Sequence, residues 1–181
     1  MNYSPLEVAQ AALDAGQVDE ALNLLNGALR DAPHDADALR LRAALLARLP
    51  GRESEALRDL ERLAAPTPDA LRLRARLLRQ TGDLSAARGC LERLWEAERD
   101  PRDAETLLRL LLESGQAGDA LHLLGMLPAA WTWDIWRGDA HAALGDRAAA
   151  RRCYRTALDA LPDSPLSPPL RAYLRDRIAE V

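Results

Sequence analysis

The chain has 181 residues, 48% of them hydrophobic, and carries 24 basic against 28 acidic side chains for a net charge of −4. That length fits one domain with ample material for a core, the acidic balance argues against a nucleic-acid binder, and no apolar run is long enough to span a bilayer. Every basic residue is arginine, phenylalanine is absent and aromatic residues make up only 4%, so leucine and alanine must form most of the core.

Read in chain order, Ser4, Pro5 and Glu7 predict an N-cap, a first-turn proline and an N3 carboxylate. They open a helix with Leu6, Val8, Ala9, Ala12 and Leu13 as its apolar pattern, and Gly16 ends it. Ala21, Leu25 and Ala28 then mark a second helix, closed by Pro33. The unit recurs. A glycine is followed five residues later by an alanine at Gly16/Ala21, Gly51/Ala56, Gly82/Ala87, Gly115/Ala120 and Gly145/Ala150, with steps of 35, 31, 33 and 30 residues between the glycines. A larger residue follows each alanine by four, at Leu25, Leu60, Leu91, Leu124 and Tyr154. Self-similarity at this period is the mark of stacked helical hairpins, each burying its apolar face against its neighbours.

Glycine supplies the left-handed residue that ends each first helix. Alanine lets two helix backbones approach closely. Prolines Pro33, Pro68, Pro128 and Pro162 are expected to close second helices. Pro50 adds a residue before Gly51, Pro128 cuts the fourth hairpin short, and the third ends late, at Pro101. After Pro162, Ser167, Pro168 and Pro169 open a last helix with Leu170, Tyr173, Leu174 and Ile178 on one stripe, and Arg171, Arg175 and Arg177 cover much of the rest. It is expected to cap the last repeat.

On these residues the chain resembles the tetratricopeptide repeat (TPR) family. The fifth repeat, with Gly138, Gly145, Ala150, Tyr154, Ala157 and Pro162, matches best, and the first, with Ala9, Gly16, Ala21, Leu25, Ala28 and Pro33, nearly as well. The resemblance implies an all-α, right-handed α-solenoid of about five TPR hairpins plus a capping helix at 167–180. It also implies a single domain over 1–181, with repeats at 2–35, 36–67, 68–100, 101–130 and 131–164.

In that family the first helix of each repeat lines a concave groove. By register the second repeat offers Asp37, Arg40, Ala44 and Arg48, the third Asp69, Arg72, Arg76, Arg79 and Gln80, and the fourth Arg102, Glu105, Arg109 and Glu113. The string DALRLRA stands at both 37–43 and 69–75. Residues 1–35 carry a net −5, 36–80 a net +4 and 81–181 a net −3. The implied function is a non-enzymatic adaptor or scaffold that holds a peptide, acidic by this charge pattern, through Arg40, Arg72, Arg76, Arg79 and Arg109. The alternative is a solvated face in which these arginines pair with their own acids. Arg72 and Arg76 match the third-repeat pair of the family's carboxylate clamp. Leu6, Gln10, Arg40 and Ala44 do not match the rest, so a true clamp is not expected.

Trp131, Trp133 and Trp136 cluster at the start of the fifth repeat, and Trp131 is the one expected to be exposed as an apolar anchor. Trp95 is expected to fill space before Pro101. Cys90 and Cys153 occupy the same place in two repeats and are read as structural. His34, His122 and His141 have no metal-ligand spacing, and no phosphate loop, nucleophile elbow or spaced cysteine pair is present, so no catalytic residue, cofactor or metal is expected. The start of the chain lacks the form of a signal peptide, so the expected compartment is the cytoplasm. RNA binding by a helical repeat is the rival function, and self-association of the array stands beside partner binding.

Overall fold

The computed structural model describes residues 4–162 and 167–181. Among them the chain forms eleven helices and no strand: α1 (Pro5–Asp14), α2 (Val18–Asp31), α3 (Ala36–Leu46), α4 (Glu53–Glu61), α5 (Pro68–Gln80), α6 (Leu84–Glu98), α7 (Pro101–Glu113), α8 (Ala117–Gly125), α9 (Trp131–Ala143), α10 (Arg147–Ala160) and α11 (Ser167–Glu180). The expected repeat limits at residues 2 and 164 lie outside the described residues. None of these helices is long and apolar enough to cross a membrane.

The chain divides into two compact units, Met1–Leu94 and Trp95–Val181. In the first, each of α1 to α4 packs on the next helix in the chain. Its core is leucine and alanine: Ala9, Ala21, Leu25, Ala38, Leu39, Ala43, Ala56 and Leu77 are fully buried. In the second, α7, α8 and α9 pack together, α10 lies on α9, and α11 on α10. Tyr154, Ala150, Ala157 and Leu174 are fully buried there.

The repeated glycines do what the sequence required. Gly16, Gly51, Gly82, Gly115 and Gly145 are the glycines with positive φ, between +70° and +87° among the described residues. At Gly16, Gly82, Gly115 and Gly145 the next residue donates its backbone N–H to a carbonyl five residues back, such as Gln17 to Ala12 at 2.8 Å and Asp146 to His141 at 2.9 Å. This closes the helix end by the Schellman pattern. At Gly51 the extra residue Pro50 breaks the pattern: α3 ends at Leu46, and Arg52 N–H instead meets the Leu49 carbonyl at 3.3 Å. The five alanines that follow are all fully buried.

Gly138 has a stricter cause than helix propensity. A Cβ there would lie 2.3 Å from Tyr154 Cε1, so the α9 backbone rests directly on the tyrosine ring. In three other repeats the same two places hold a small–large pair, Ala9 with Leu25, Ala43 with Leu60, and Ala75 with Leu91.

Two prolines open helices rather than close them. Pro68 was expected to end α4, but α4 stops at Glu61, and Pro68 is the first residue of α5 behind the N-cap Thr67. Pro101 likewise starts α7 behind Asp100, whose side chain accepts from Arg102 N–H at 2.8 Å. At a first helical position proline loses no hydrogen bond and has the right φ. At the start of the chain the capping box forms as expected: Ser4 N–H donates to Glu7 Oε2 at 2.7 Å, and Glu7 N–H to Ser4 Oγ at 3.2 Å.

Candidate functional site

Within the first unit, Arg40 lies on α3, and Arg72, Arg76 and Arg79 lie on α5. The spacing of four and three places the α5 residues along one stripe of that helix. Arg76 and Arg79 are exposed, and Arg40 and Arg72 are partly exposed. Arg40 pairs with Asp37, and Arg72 with Asp69 at 3.1 Å, each one turn back on its own helix. Such exposed pairs contribute well under about 1 kcal/mol and exchange readily for another acid. Arg76 makes no ion pair among the described residues.

Within the second unit, Arg109 on α7 pairs with Glu105 at 3.1 Å. Trp131 is the first residue of α9 and is partly exposed. It lines an open cavity of about 510 Å³ with Trp136, Ile135, Leu170, Tyr173 and Glu105. Trp133 is buried, as the packing reading of that cluster required. Trp95 is buried too, with the Arg99 guanidinium 4.9 Å above its ring.

The sequence reading missed the arginines that point inward. Arg42 donates through Nε and Nη2 to the two oxygens of Asp59, at 2.7 and 2.6 Å, and through Nη1 to Asn26 Oδ1 at 2.8 Å. The bond to Asp59 holds the Arg42 pKa above its ordinary value. Asp59 is 97% enclosed as a side chain, so this bidentate pair ties α3 to α4 inside the unit. The corresponding Arg137 donates to Asp134 at 2.7 Å and to the Leu124 carbonyl at 3.0 Å, near the end of the short α8.

A signal for these was present. Arg42, Arg74 and Arg137 each precede the small residue of a first helix, and Asp59, Cys90 and Cys153 each follow the buried alanine of the paired second helix by three. Where Asp59 completes the pair, Cys90 and Cys153 supply no carboxylate. Both cysteines are free. Burial pushes both thiols up in pKa, against nearby Arg74 and Arg137. They are therefore poor nucleophiles.

A second network fixes α11. Tyr154 OH donates to Asp139 Oδ1 at 2.6 Å, and Arg177 Nη2 donates to Tyr154 OH at 2.9 Å and to Asp139 Oδ1 at 3.2 Å. Burial, then the bond to Asp139, pushes the Tyr154 phenol well above the ordinary tyrosine range. Leu174 is fully buried, with Leu170 and Ile178 packed beside it, whereas Tyr173 turns outward at 42% exposure. The cap helix thus buries Leu174 fully and Leu170 and Ile178 in part, three of the four residues on its expected stripe turning toward the core.

A stack of short helical hairpins, glycine-broken and alanine-spaced, with charged first-helix faces and no convergent set of three metal-ligating side chains among the described residues, defines a helical-repeat protein. Residues 6–70 and 92–165 match the family model described as tetratricopeptide repeat, and the chain belongs to that family. A search of the curated proteins finds no match. Among solved structures, the crystal structure of MamA protein is 16% identical with a TM-score of 0.70, covering 86% of this chain and 88% of that one. The crystal structure of YrrB, titled as a TPR protein with an unusual peptide-binding site, is 19% identical with a TM-score of 0.72, covering 93% of this chain and 90% of that one. The C-terminal part of a TPR repeat-containing protein from Cytophaga hutchinsonii is 12% identical with a TM-score of 0.68, covering 97% and 72%. At such identities the likeness is one of fold.

Proposed function

We propose that this chain is a non-enzymatic interaction scaffold of the cytoplasm that holds an acidic peptide segment of another protein on its first-helix faces, with residues 1–181 acting as one functional domain. The observation that carries the reading is the α5 stripe, where exposed Arg76, without an ion pair among the described residues, stands between Arg72 and Arg79. Guanidinium groups offer paired donors that match carboxylate geometry. Arg40 on α3 belongs to the same contact set. Arg109 and the partly exposed Trp131 form a second contact set in the other unit, where the tryptophan offers a rigid apolar anchor beside a cavity. The fold likeness to YrrB, titled as having a peptide-binding site, supports the peptide reading.

The test is an array of Asp- and Glu-rich peptides probed with wild type, Arg76→Glu and Trp131→Ala. Arg76→Glu should lose acidic peptides at least tenfold with its helical circular dichroism unchanged. Equal binding by Arg76→Glu and wild type would remove the α5 stripe from the account.

A further inference from the structure

A pocket of about 250 Å³ in the first unit gathers four arginines, Arg42, Arg52, Arg58 and Arg62, against two carboxylates, Glu55 and Asp59. Four positive and two negative groups leave the lining at +2. The pocket is apart from the proposed peptide face: Arg40 and Arg42 are two residues apart on α3, about 200° around the helix.

The six charges differ in what they have left to give. Arg42 and Asp59 satisfy each other bidentately, and Asp59 is buried, so that pair forms the fixed floor. Arg52 commits Nε and Nη2 to Glu55, with the Nη2 bond at 2.8 Å. Arg62 donates through Nη2 to the Pro33 carbonyl, and its Nη1 stays 3.9 Å from Asp59. Arg58 is exposed and makes no ion pair among the described residues. Each guanidinium has five N–H donors. Most of the donors on Arg52, Arg58 and Arg62 are therefore uncommitted, on three side chains that line one concavity.

Arg58 on α4 and Arg62 at its C-cap are also four apart, a like-charge spacing that costs a helix about 0.2–0.5 kcal/mol. An anion between them removes that cost. The volume falls below the roughly 300–1,000 Å³ of pockets that enclose a drug-sized ligand. It suits a single anionic group, and a net +2 matches a dianion.

We propose that this pocket binds a dianionic phosphoryl group, held in the forks of Arg52, Arg58 and Arg62 above the Arg42–Asp59 pair. The group could be free inorganic phosphate or a phosphoserine side chain, which share this chemistry. The site does not depend on the α5 stripe.

The test uses the full chain and follows arginine Nε–H resonances while titrating inorganic phosphate, a capped Gly-phosphoserine-Gly peptide, or acetate, all at one ionic strength. Phosphate or the phosphopeptide should shift the Arg52, Arg58 and Arg62 signals saturably, and Arg58→Gln/Arg62→Gln should bind at least tenfold more weakly, while Arg76→Gln binds as wild type does. Tighter binding of the phosphopeptide assigns the site to a phosphorylated chain, and tighter binding of phosphate to the free ion. The proposal is overturned by acetate titrating as phosphate does, by undiminished binding in the double variant, or by an equal loss in Arg76→Gln.

Discussion

Replacing Gly138 by alanine isolates a close approach of helix backbone to aromatic ring. An alanine Cβ would stand 2.3, 2.6 and 2.8 Å from Tyr154 Cε1, Cδ1 and Cζ. Carbon atoms settle at about 3.5–4.0 Å, so helix and ring must separate by about 1.2 Å. The ring cannot swing aside: Tyr154 is fully buried, and its hydroxyl bonds both Asp139 and Arg177. Overpacking costs about 1–3 kcal/mol, and a forced separation of this size against an immobile ring belongs in the upper part of that range, at about 2–3 kcal/mol. Alanine recovers about 1 kcal/mol of helix propensity over glycine. The net expectation is a loss of about 1–2 kcal/mol, or roughly 3–6 °C in Tm for a chain of this size. In a Tyr154→Leu background, which recreates the Ala43/Leu60 and Ala75/Leu91 pairing, the same substitution should stabilise. A four-variant calorimetric cycle would then show a coupling of about 2–3 kcal/mol. If Gly138→Ala raised Tm in both backgrounds, the steric argument would be wrong.

Other outcomes follow from the same contacts. Asp59→Ala strands the Arg42 guanidinium. Breaking a buried pair costs about 3–5 kcal/mol, and because Arg42 keeps 19% of its side chain exposed the expected loss is nearer 2–3 kcal/mol in a urea titration. A loss below about 0.5 kcal/mol would show that the pair holds nothing. Arg177→Ala should lower hydrogen-exchange protection along α11 while α1 to α4 keep theirs; unchanged α11 protection would refute the role of the Tyr154–Asp139–Arg177 network in holding that helix. Tyr154 also sets an alkaline limit. Its folded pKa is raised, so its stabilising contribution is complete below the unfolded tyrosine value of about 10 and is lost as pH rises toward the folded value. Tyr154→Phe should flatten that part of the stability profile above about pH 10, and an identical alkaline slope in the variant would contradict the assignment.

Much of the fold was legible because its determinants are local and repeated. A glycine at +70° to +87° and a fully buried alanine five residues on are demands of backbone and close packing, and five copies made them visible. Pro68 was misplaced because proline both follows helices and begins them. The cap at Thr67 decides between the two, and that cap depends on where α4 ends. The pairing of Arg40, Arg72 and Arg109 with acids three or four residues back was foreseeable from spacing and was held open as the alternative reading. The inward turn of Arg42 was not foreseen, since DALRLRA presents four apolar and two basic residues without saying which arginine meets Asp59 across the hairpin. Nor was the Tyr154–Asp139–Arg177 network, whose members lie 15 and 23 residues apart on three helices.

The central claim is that the arginine face of α5 recruits a protein partner. It is tested most directly by quantitative capture from lysate of the source cells on immobilised wild type and on Arg72→Glu/Arg76→Glu, with bound proteins quantified by mass spectrometry and both baits checked for equal helicity. The account predicts at least one protein retained by wild type and depleted tenfold or more on the variant, with an acidic segment that binds wild type alone when synthesised as a peptide. Identical captures on the two baits would contradict it.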